Sequence, residues 1–167
     1  MKNLLNKKLS SLLSIILLCS VSFFGLSVQA ETTFEKIKRT GKVTVGTEAA
    51  FPPFEFVEDG KIVGYGKDIL DYIIADLGVE LDQLDLPWQG ILPGVLAGKF
   101  DFVATSVSIR AERAKKYAFT VPIAEGTNWV MKRSGDTSIM SPDDLSGKVV
   151  CTQLASGSEK ATKEWEA

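Results

Sequence analysis

The sequence predicts an α/β fold built around a largely parallel sheet. Segments with the spacing of amphipathic helices alternate along the chain with short segments typical of strands, and hairpin signals are few. With 167 residues, the chain is long enough for one ordinary domain and too short for two large ones. Polar residues that follow the strands are expected to meet at one edge of the sheet, where ligands bind in this fold class.

Three helices are predicted in the first part of the chain. Each has apolar residues at three- and four-residue intervals, which is the pattern of a helix with one buried face. A glycine follows the first two helices, at a position where a left-handed residue commonly ends a helix. The helices cover residues 32–39, 68–77 and 89–99, with inward-facing Phe34, Ile37, Ile69, Leu70, Ile73, Ile74, Leu77, Ile91, Leu92, Val95 and Leu96.

Strands are predicted between these helices, as short apolar or alternating runs bounded by turn residues. Asp59-Gly60 lies between two such runs and indicates a hairpin. Two prolines stiffen a predicted loop at residues 47–53. The predicted strands cover residues 42–46, 54–57, 61–65, 79–86 and 102–104.

Beyond residue 122 the predicted elements become sparse. Strands are expected at residues 127–132 and 148–152, a short helix begins after the N-cap Ser141, and a last helix follows residues 155–158. Two strands are too few for a stable core. We therefore expect a first unit over residues 31–124 and an incomplete second unit over residues 125–167.

The first 30 residues have the composition of a cleavable secretory signal peptide. Lysines precede an apolar stretch at residues 12–26, and Val28-Gln29-Ala30 presents short side chains where signal peptidase cuts, so cleavage is expected after Ala30. The alternative is an uncleaved membrane anchor, although serines and a glycine interrupt an apolar part that is barely long enough to span a bilayer. Lipidation of Cys19 is disfavoured because a bulky leucine precedes it.

Charge and composition exclude several classes of function. Without the three lysines of the signal peptide, the 19 basic residues become 16 against 21 acidic ones, a net charge of −5 that does not suit nucleic-acid binding. Cys151 is the only cysteine after residue 30 and forms no internal disulfide. The chain has no histidine, so no zinc cluster or Ser-His-Asp triad is expected, and no cofactor or metal is implied.

The most informative stretch joins the strand at residues 102–104 to a helix expected from about Arg110. Thr105, Ser106 and Ser108 lie at this junction, and Arg113 lies one turn into the helix. The first N–H groups of a helix lack intrahelical partners, and an arginine fork can hold a carboxylate through two hydrogen bonds. The stretch predicts a carboxylate cradle. A helix capped by Ser108 and a solvated arginine is the alternative, and the residues alone leave both open.

Seven groups of motifs follow one another along the chain. Each is weak alone, but their joint order and spacing are specific. They are Val45-Gly46-Thr47-Glu48, Pro53-Phe54-Glu55-Phe56, Gly64-Tyr65 with Asp68-Ile69-Leu70, Trp88 with Gly90-Ile91-Leu92-Pro93, Thr105-Ser106-Val107-Ser108-Ile109 with Glu112-Arg113, Phe119-Thr120, and Asp144-Leu145-Ser146-Gly147-Lys148-Val149-Val150. Over residues 32–164 the sequence resembles the bacterial periplasmic amino-acid-binding proteins, the polar-amino-acid branch (family 3) of the extracellular solute-binding proteins that feed ABC importers.

The resemblance implies two α/β lobes joined by a hinge, with the ligand in the cleft between them. The first lobe, residues 31–124, lacks only its C-terminal return, and the second, residues 125–167, is truncated. The implied function is capture of a free polar amino acid in the periplasm and delivery to a permease in the inner membrane, without catalysis, by a protein that is monomeric when complete. In a host without an outer membrane the protein would be at the cell surface or secreted.

For the ligand carboxylate, the resemblance implies a clamp at Arg113. Thr105 and Ser106 would donate hydrogen bonds to it, and Ser108 would contribute at the same junction. The rival for the clamp is Arg110, whose charge opposes the helix dipole at the first turn.

The remaining site residues follow from the same resemblance. Phe51 and Trp88 match positions where aromatic side chains enclose the ligand, and Ser156 and Gly157 match a turn that meets the carboxylate from the second lobe. Glu48 matches a position, commonly aspartate in the family, that faces the ligand amine or side chain. The acidic residue that usually binds the amine lies beyond residue 167.

Two other functions remain open. Some periplasmic dehydratases share the lobe design, but they need a positioned general acid or base, and the candidate carboxylates near the cleft are few, chiefly Glu48. The third possibility is the sensor domain of a larger receptor. The sequence does not identify the amino acid.

Overall fold

The computed structural model describes residues 30–165, so the predicted signal peptide, residues 1–30, lies outside the described residues except for Ala30. The elements in chain order are α1 (Thr33–Thr40), β1 (Lys42–Thr47), β2 (Ala50–Phe51), β3 (Glu55–Glu58), β4 (Lys61–Val63), α2 (Tyr65–Leu77), β5 (Glu80–Asp85), α3 (Trp88–Leu96), β6 (Phe102–Val103), α4 (Ala111–Ala114), a 3₁₀ helix (Pro142–Leu145) and α5 (Gly157–Trp165). The chain divides into two units after Lys36, and both sheets, the core and the candidate site belong to the second unit.

Helix α1 begins with a capping box, and α1 and α2 are each followed by a glycine. Thr32 and Glu35 form a capping box, in which the Glu35 amide donates to the Thr32 hydroxyl and the Thr32 amide donates to the Glu35 carboxylate. Gly41 and Gly78 adopt left-handed φ angles of 65° and 64° directly after α1 and α2, as predicted. The Gly78 N–H donates to the carbonyl of Ile74, which satisfies one of the last carbonyls of α2.

The first sheet is parallel, with strand order β5-β1-β6. Four of the six residues of its central strand, β1, are buried, and Val43 and Val45 are fully so. Together with Ile37 and Leu70 these valines form the core, against which residues of α2, β5 and β6 pack. The predicted α/β class with a largely parallel sheet is confirmed.

The second sheet is a small antiparallel one, with order β2-β3-β4. Asp59 and Gly60, with φ angles of 49° and 73°, form the predicted hairpin turn between β3 and β4. The loop predicted at residues 47–53 is wrong in part, because Ala50 and Phe51 pair with Phe56 and Glu55 as an additional strand. That pairing places the hairpin beside the end of β1.

Some predicted inward-facing residues are exposed. Phe34, Ile73 and Leu96 are exposed, whereas their neighbours Leu70 and Ile91 are buried. The period of a helix identifies one apolar face, but the width of the buried stripe depends on which elements cover it. Helix α3 also ends at Leu96 rather than Lys99, followed by Gly98 in a left-handed conformation.

The predicted strands at residues 127–132 and 148–152 are wrong, since neither segment is a strand. An extended segment becomes a strand when a neighbour completes its hydrogen bonds, and neither segment pairs with another within residues 30–165. The predicted helix after Ser141 is the 3₁₀ helix, with Ser141 and Asp144 as a capping box. The last predicted helix is confirmed as α5. None of the helices in the described range is long and apolar enough to cross a membrane.

Candidate ligand-binding site

The ends of the three parallel strands are tied together by the buried hydroxyl of Thr47. It donates to the carbonyl of Ala104, after β6, over 2.9 Å, and it accepts from the Gln83 side chain of β5 over 2.9 Å. The amide of Ala49 donates to the carboxylate of Asp85, also over 2.9 Å. These bonds fix the loops that leave the carboxyl edge of the sheet, where the sequence predicted the site.

The predicted hydroxyl cradle holds a carboxylate of the chain itself, that of Glu55 on β3. The Ser106 hydroxyl donates to its Oε1 over 2.8 Å, and the Ser106 amide donates to its Oε2 over 3.1 Å. The Thr105 hydroxyl donates to the same Oε2 over 3.2 Å. The donors expected to face a ligand carboxylate at Thr105 and Ser106 are therefore engaged by Glu55.

Glu55 is buried, with 2% of its surface exposed. Burial raises the pKa of its carboxyl above the ordinary value, and the hydrogen bonds from Ser106 and Thr105 oppose that increase. None of the lysines and arginines within residues 30–165 forms a salt bridge with Glu55. Its charge is thus stabilised by hydrogen bonds from the junction.

Arg113 lies on α4 with its guanidinium 5.3 Å from the ring centre of Trp88. Its Nη1 donates to the carbonyl of Ser108 over 3.1 Å, and its Nη2 donates to the carbonyl of Ala155 over 3.4 Å. Burial, followed by the positive charge of Arg110, lowers the pKa of the Arg113 guanidinium. In the described part of the chain no carboxylate forms a salt bridge with Arg113, so its charge is available to an anion.

Ser108 does not cap α4. The N-cap residue is Arg110, without a side-chain capping bond, and Ser108 is exposed. The alternative of a Ser108-capped helix with a solvated arginine is therefore wrong, since Arg113 is also partly buried. Ser108 acts in the structure through its carbonyl, which orients Arg113.

Arg110, the rival for the clamp, lines the same cavity as Arg113. Its Nε is buried without a hydrogen-bond partner, and its guanidinium lies so close to Gly157 that a Cβ there would require the guanidinium to move. Arg110 and Arg113 line a cavity of about 560 Å³ together with Ser156 and Glu159. This cavity is where the structure brings the first part of the chain against the start of α5.

The turn before α5 is stabilised by hydrogen bonds between side chains and backbone amides within residues 155–159. The Ser156 hydroxyl accepts from the amide of Glu159 over 3.1 Å and so caps α5, while the Glu159 carboxylate accepts from the amide of Ala155 over 2.6 Å. The Glu48 carboxylate accepts a 2.7 Å hydrogen bond from the side chain of Gln153. Sequence analysis missed Gln153.

The two predicted aromatic residues lie in different surroundings. Trp88 is buried beside Arg113. Phe51 is about half exposed and stacks on Phe54, with ring centres 5.3 Å apart, and Tyr65 meets Phe54 edge-on. The structure thus brings Trp88 into contact with the predicted clamp and places Phe51 in the aromatic cluster of the hairpin.

Glu55 is the main residue that sequence analysis missed. It belongs to the motif Pro53-Phe54-Glu55-Phe56. Successive residues of a strand point to opposite faces of the sheet, so Glu55 and Phe56 must face opposite ways. The alternation does not show which of the two faces is buried. A glutamate between two phenylalanines is the one available signal. Within residues 30–165, no group of acidic or cysteine residues is arranged to hold a metal ion.

Comparisons with known proteins identify relatives of this chain. The L-cystine-binding protein TcyJ of Escherichia coli (strain K12) is 33% identical over 141 residues, which are 81% of this chain and 53% of that protein. The chain therefore spans about half the length of this relative.

Solved structures of similar proteins share the fold. The arginine-bound truncated ArgBP from T. maritima matches with a TM-score of 0.68 and 32% identity, over 78% of this chain and 62% of that one. An ancestral amino-acid-binding protein, described as a precursor of cyclohexadienyl dehydratase, matches with a TM-score of 0.74 and 34% identity, over 80% of this chain and 61% of that one. Residues 43–165 match the family model, and the chain belongs to the bacterial extracellular solute-binding proteins, family 3.

Proposed function

We propose that this chain binds a free, polar amino acid outside the inner membrane, as part of the solute-binding component of an ABC importer, and passes it to a permease. The observation that carries the proposal is Arg113, a partly buried cation beside Trp88 with no acidic partner within residues 30–165. A free amino acid always has an α-carboxylate, and the guanidinium fork suits its two oxygens. Relatives named for binding cystine and arginine support the ligand class.

The other predicted residues take roles around Arg113. Trp88 forms one wall and Phe51 a more distant one, while Ser108 orients the clamp through its carbonyl. Ser156 and Gly157 approach from the second lobe, beside the cavity. Thr105 lies beside Glu48, since its hydroxyl reaches the Glu48 carbonyl at 3.5 Å, and Ser106 is the next residue along the chain.

The lobe boundaries follow the same proposal. Residues 31–124 form most of the first lobe and residues 125–167 the start of the second, and the protein works as a monomer. In this arrangement Gln153 and Ala155 of the second lobe contact Glu48 and Arg113 of the first. Such contacts are what closure of two lobes on a ligand requires.

A dehydratase is the second candidate, favoured by the ancestral relative described as a precursor of cyclohexadienyl dehydratase. An enzyme of this kind needs a general acid or base that reaches the substrate. Glu55 has a raised pKa but is buried and accepts three hydrogen bonds from Thr105 and Ser106, and the Glu48 carboxylate is bound to Gln153. We therefore propose binding without catalysis.

The test is an NMR screen of the ¹⁵N-labelled chain against individual L-amino acids and L-cystine at millimolar concentration. This concentration detects weak complexes, of about −4 kcal/mol, and weak binding is expected because the chain spans about half the length of its relatives. We expect a polar amino acid to shift the amides around Arg113 and the indole signal of Trp88. The proposal would be contradicted if the shifts occurred at other residues, or if no amino acid caused any shift.

Export is a separate prediction. The motif Val28-Gln29-Ala30 after the apolar run should be cut after Ala30, which gives a mature protein that begins at Glu31. Mass spectrometry of the protein from the periplasmic fraction, or from the cell surface in a host without an outer membrane, measures this directly. A mature chain that begins at Met1, or one with lipid on Cys19, would contradict it.

A further inference from the structure

Hydrogen bonds to the buried carboxylate of Glu55 hold the junction between β6 and α4. Both carboxylate oxygens are used: Oε1 accepts from the Ser106 hydroxyl, and Oε2 accepts from the Ser106 amide and the Thr105 hydroxyl. Three donors from two consecutive residues thus converge on one buried side chain. The junction cannot shift relative to β3 without breaking them.

This arrangement decides what the two hydroxyl groups can offer a ligand. A hydroxyl has one hydrogen and two lone pairs, and an ionised carboxylate accepts hydrogen bonds only. The Ser106 hydrogen is directed to Glu55 over 2.8 Å, and the Thr105 hydrogen is shared between Glu55 at 3.2 Å and the Glu48 carbonyl at 3.5 Å. Both oxygens therefore keep only lone pairs for any further partner. A ligand carboxylate would meet lone pairs there, whereas an ammonium group would meet acceptors.

We propose that Glu55 is a positioning residue of the binding site, which turns the hydroxyl groups of Thr105 and Ser106 into acceptors for an N–H donor of the ligand and leaves the ligand carboxylate to Arg113. The proposal deepens the proposed function and rests on it. It gives the amino acid a direction in the site: its ammonium lies towards Thr105 and Ser106, and its carboxylate lies towards α4.

The surroundings of Glu55 keep it in this position. Gly66, at the start of α2, lies so close to Oε1 that a Cβ there would overlap it, and the Gly66 amide donates to the carbonyl of Phe54 over 2.9 Å. The hairpin and α2 therefore confine the carboxylate. An added side-chain atom at position 66 would push Glu55 towards the junction.

The first test needs no ligand. The Glu55 carboxyl carbon is followed by ¹³C NMR as the pH is changed, in the parent chain and in Ser106→Ala. We expect the Glu55 carboxyl to titrate above its ordinary value, because it is buried, and the Ser106 amide proton to shift with it. Ser106→Ala should raise the Glu55 pKa further, because a hydrogen bond to the charged form is lost. A Glu55 carboxyl that titrates at its ordinary value in both proteins would overturn the proposal.

The second test uses L-arginine and 5-guanidinopentanoate, which is arginine without its ammonium group. In Glu55→Gln the amide NH₂ donates to the Ser106 oxygen, so the Ser106 hydrogen is freed to face the ligand. We expect the affinity for L-arginine to fall about tenfold, as for loss of a hydrogen bond to a charged group. The affinity for 5-guanidinopentanoate should change less than about threefold, since a carboxylate held by Arg113 does not use these hydroxyls.

Glu58→Gln is the matched control, because it makes the same change on the exposed side of the same hairpin. It should alter neither affinity. Equal losses for both ligands in Glu55→Gln would overturn the proposed direction of the ligand. If L-arginine does not bind the parent chain, the proposed function fails for this amino acid, and the ligand-free titration still decides the role of Glu55.

Discussion

At the scale of single residues, two neighbouring arginines have different environments. Arg113 is oriented by the Ser108 carbonyl and lies against Trp88, so that its fork is held in place before a ligand arrives. Arg110 packs on Gly157, and its Nε has no partner. A clamp needs a fixed orientation, because ordering a long side chain on binding costs conformational entropy. Arg113 meets this requirement better than Arg110.

Replacing Arg113 should therefore remove most of the binding. We expect Arg113→Ala to lose about 2–5 kcal/mol, more than tenfold in affinity, and Arg113→Lys to lose most of this, because an ammonium cannot form two parallel bonds. Arg110→Ala is the control and should stay within about threefold of the parent. Affinities come from NMR titration, and melting curves verify the folds. A reversed order of the two arginines would show that Arg110 is the clamp.

The buried carboxylate gives the protein a specific pH dependence. Burial raises the pKa of Glu55 above the value of 4.5 that applies in the unfolded chain. Between 4.5 and the folded pKa the folded state holds more protons than the unfolded state, so the contribution of Glu55 to the free energy of unfolding falls as the pH rises through this window. Exposed carboxylates with a lowered pKa, such as Asp144, act in the opposite direction and at lower pH.

Urea unfolding from about pH 4.5 to about pH 8, followed by circular dichroism, measures this effect. The difference in stability between the parent and Glu55→Gln should change with pH, in favour of the variant as the pH rises. Glu58→Gln, the same change at an exposed position of the same hairpin, is the control. Parallel curves for Glu55→Gln and the parent would mean that Glu55 is not titrating in this range.

At the scale of elements, sequence patterns predicted local features correctly, and they predicted contacts between distant parts of the chain less well. Gly78 ends α2 because the conformation after the helix is left-handed, which is a property of a few consecutive residues. The strand predicted at residues 127–132 failed because a strand depends on a partner elsewhere in the chain. Arg113 and Trp88 were found from their motifs, but the Glu55 contact joins residues about 50 positions apart, and only the folded chain shows it.

Two helical glycines test the packing around Glu55. Gly66 in α2 has the Glu55 carboxylate where a Cβ would stand, whereas Gly90 in α3 has open space. Gly66→Ala should destabilise the protein by about 1–3 kcal/mol through overpacking. Gly90→Ala should stabilise it by about 0.4–1 kcal/mol, because alanine loses less backbone entropy on folding. Urea unfolding measures both, and equal effects of the two substitutions would contradict the close contact at Gly66.

At the scale of the whole molecule, the two sheets differ from the part of the chain after α4. In the exposed segment, defined as residues 118–155, all but four residues are exposed, and the only helix is the short 3₁₀ helix. Large apolar side chains there face solvent, with exposures of 88% for Trp129, 98% for Met131 and 95% for Val149. Few buried contacts mean a low free energy of local opening, so this segment should open well before the parallel sheet unfolds.

Limited trypsin digestion tests this difference, because a protease cuts where the backbone opens locally. Lys132, Arg133 and Lys148 lie in the exposed segment, whereas Lys42 and Lys67 lie in β1 and α2. We expect the first cuts after the former three, which leaves a fragment that contains both sheets and persists much longer. Mass spectrometry identifies the products over time. The control is a variant with both Lys132→Gln and Arg133→Gln, which should lose the corresponding cuts without gaining new cuts in the sheets. First cuts after Lys42 or Lys67 would mean that the parallel sheet is no more stable than the exposed segment.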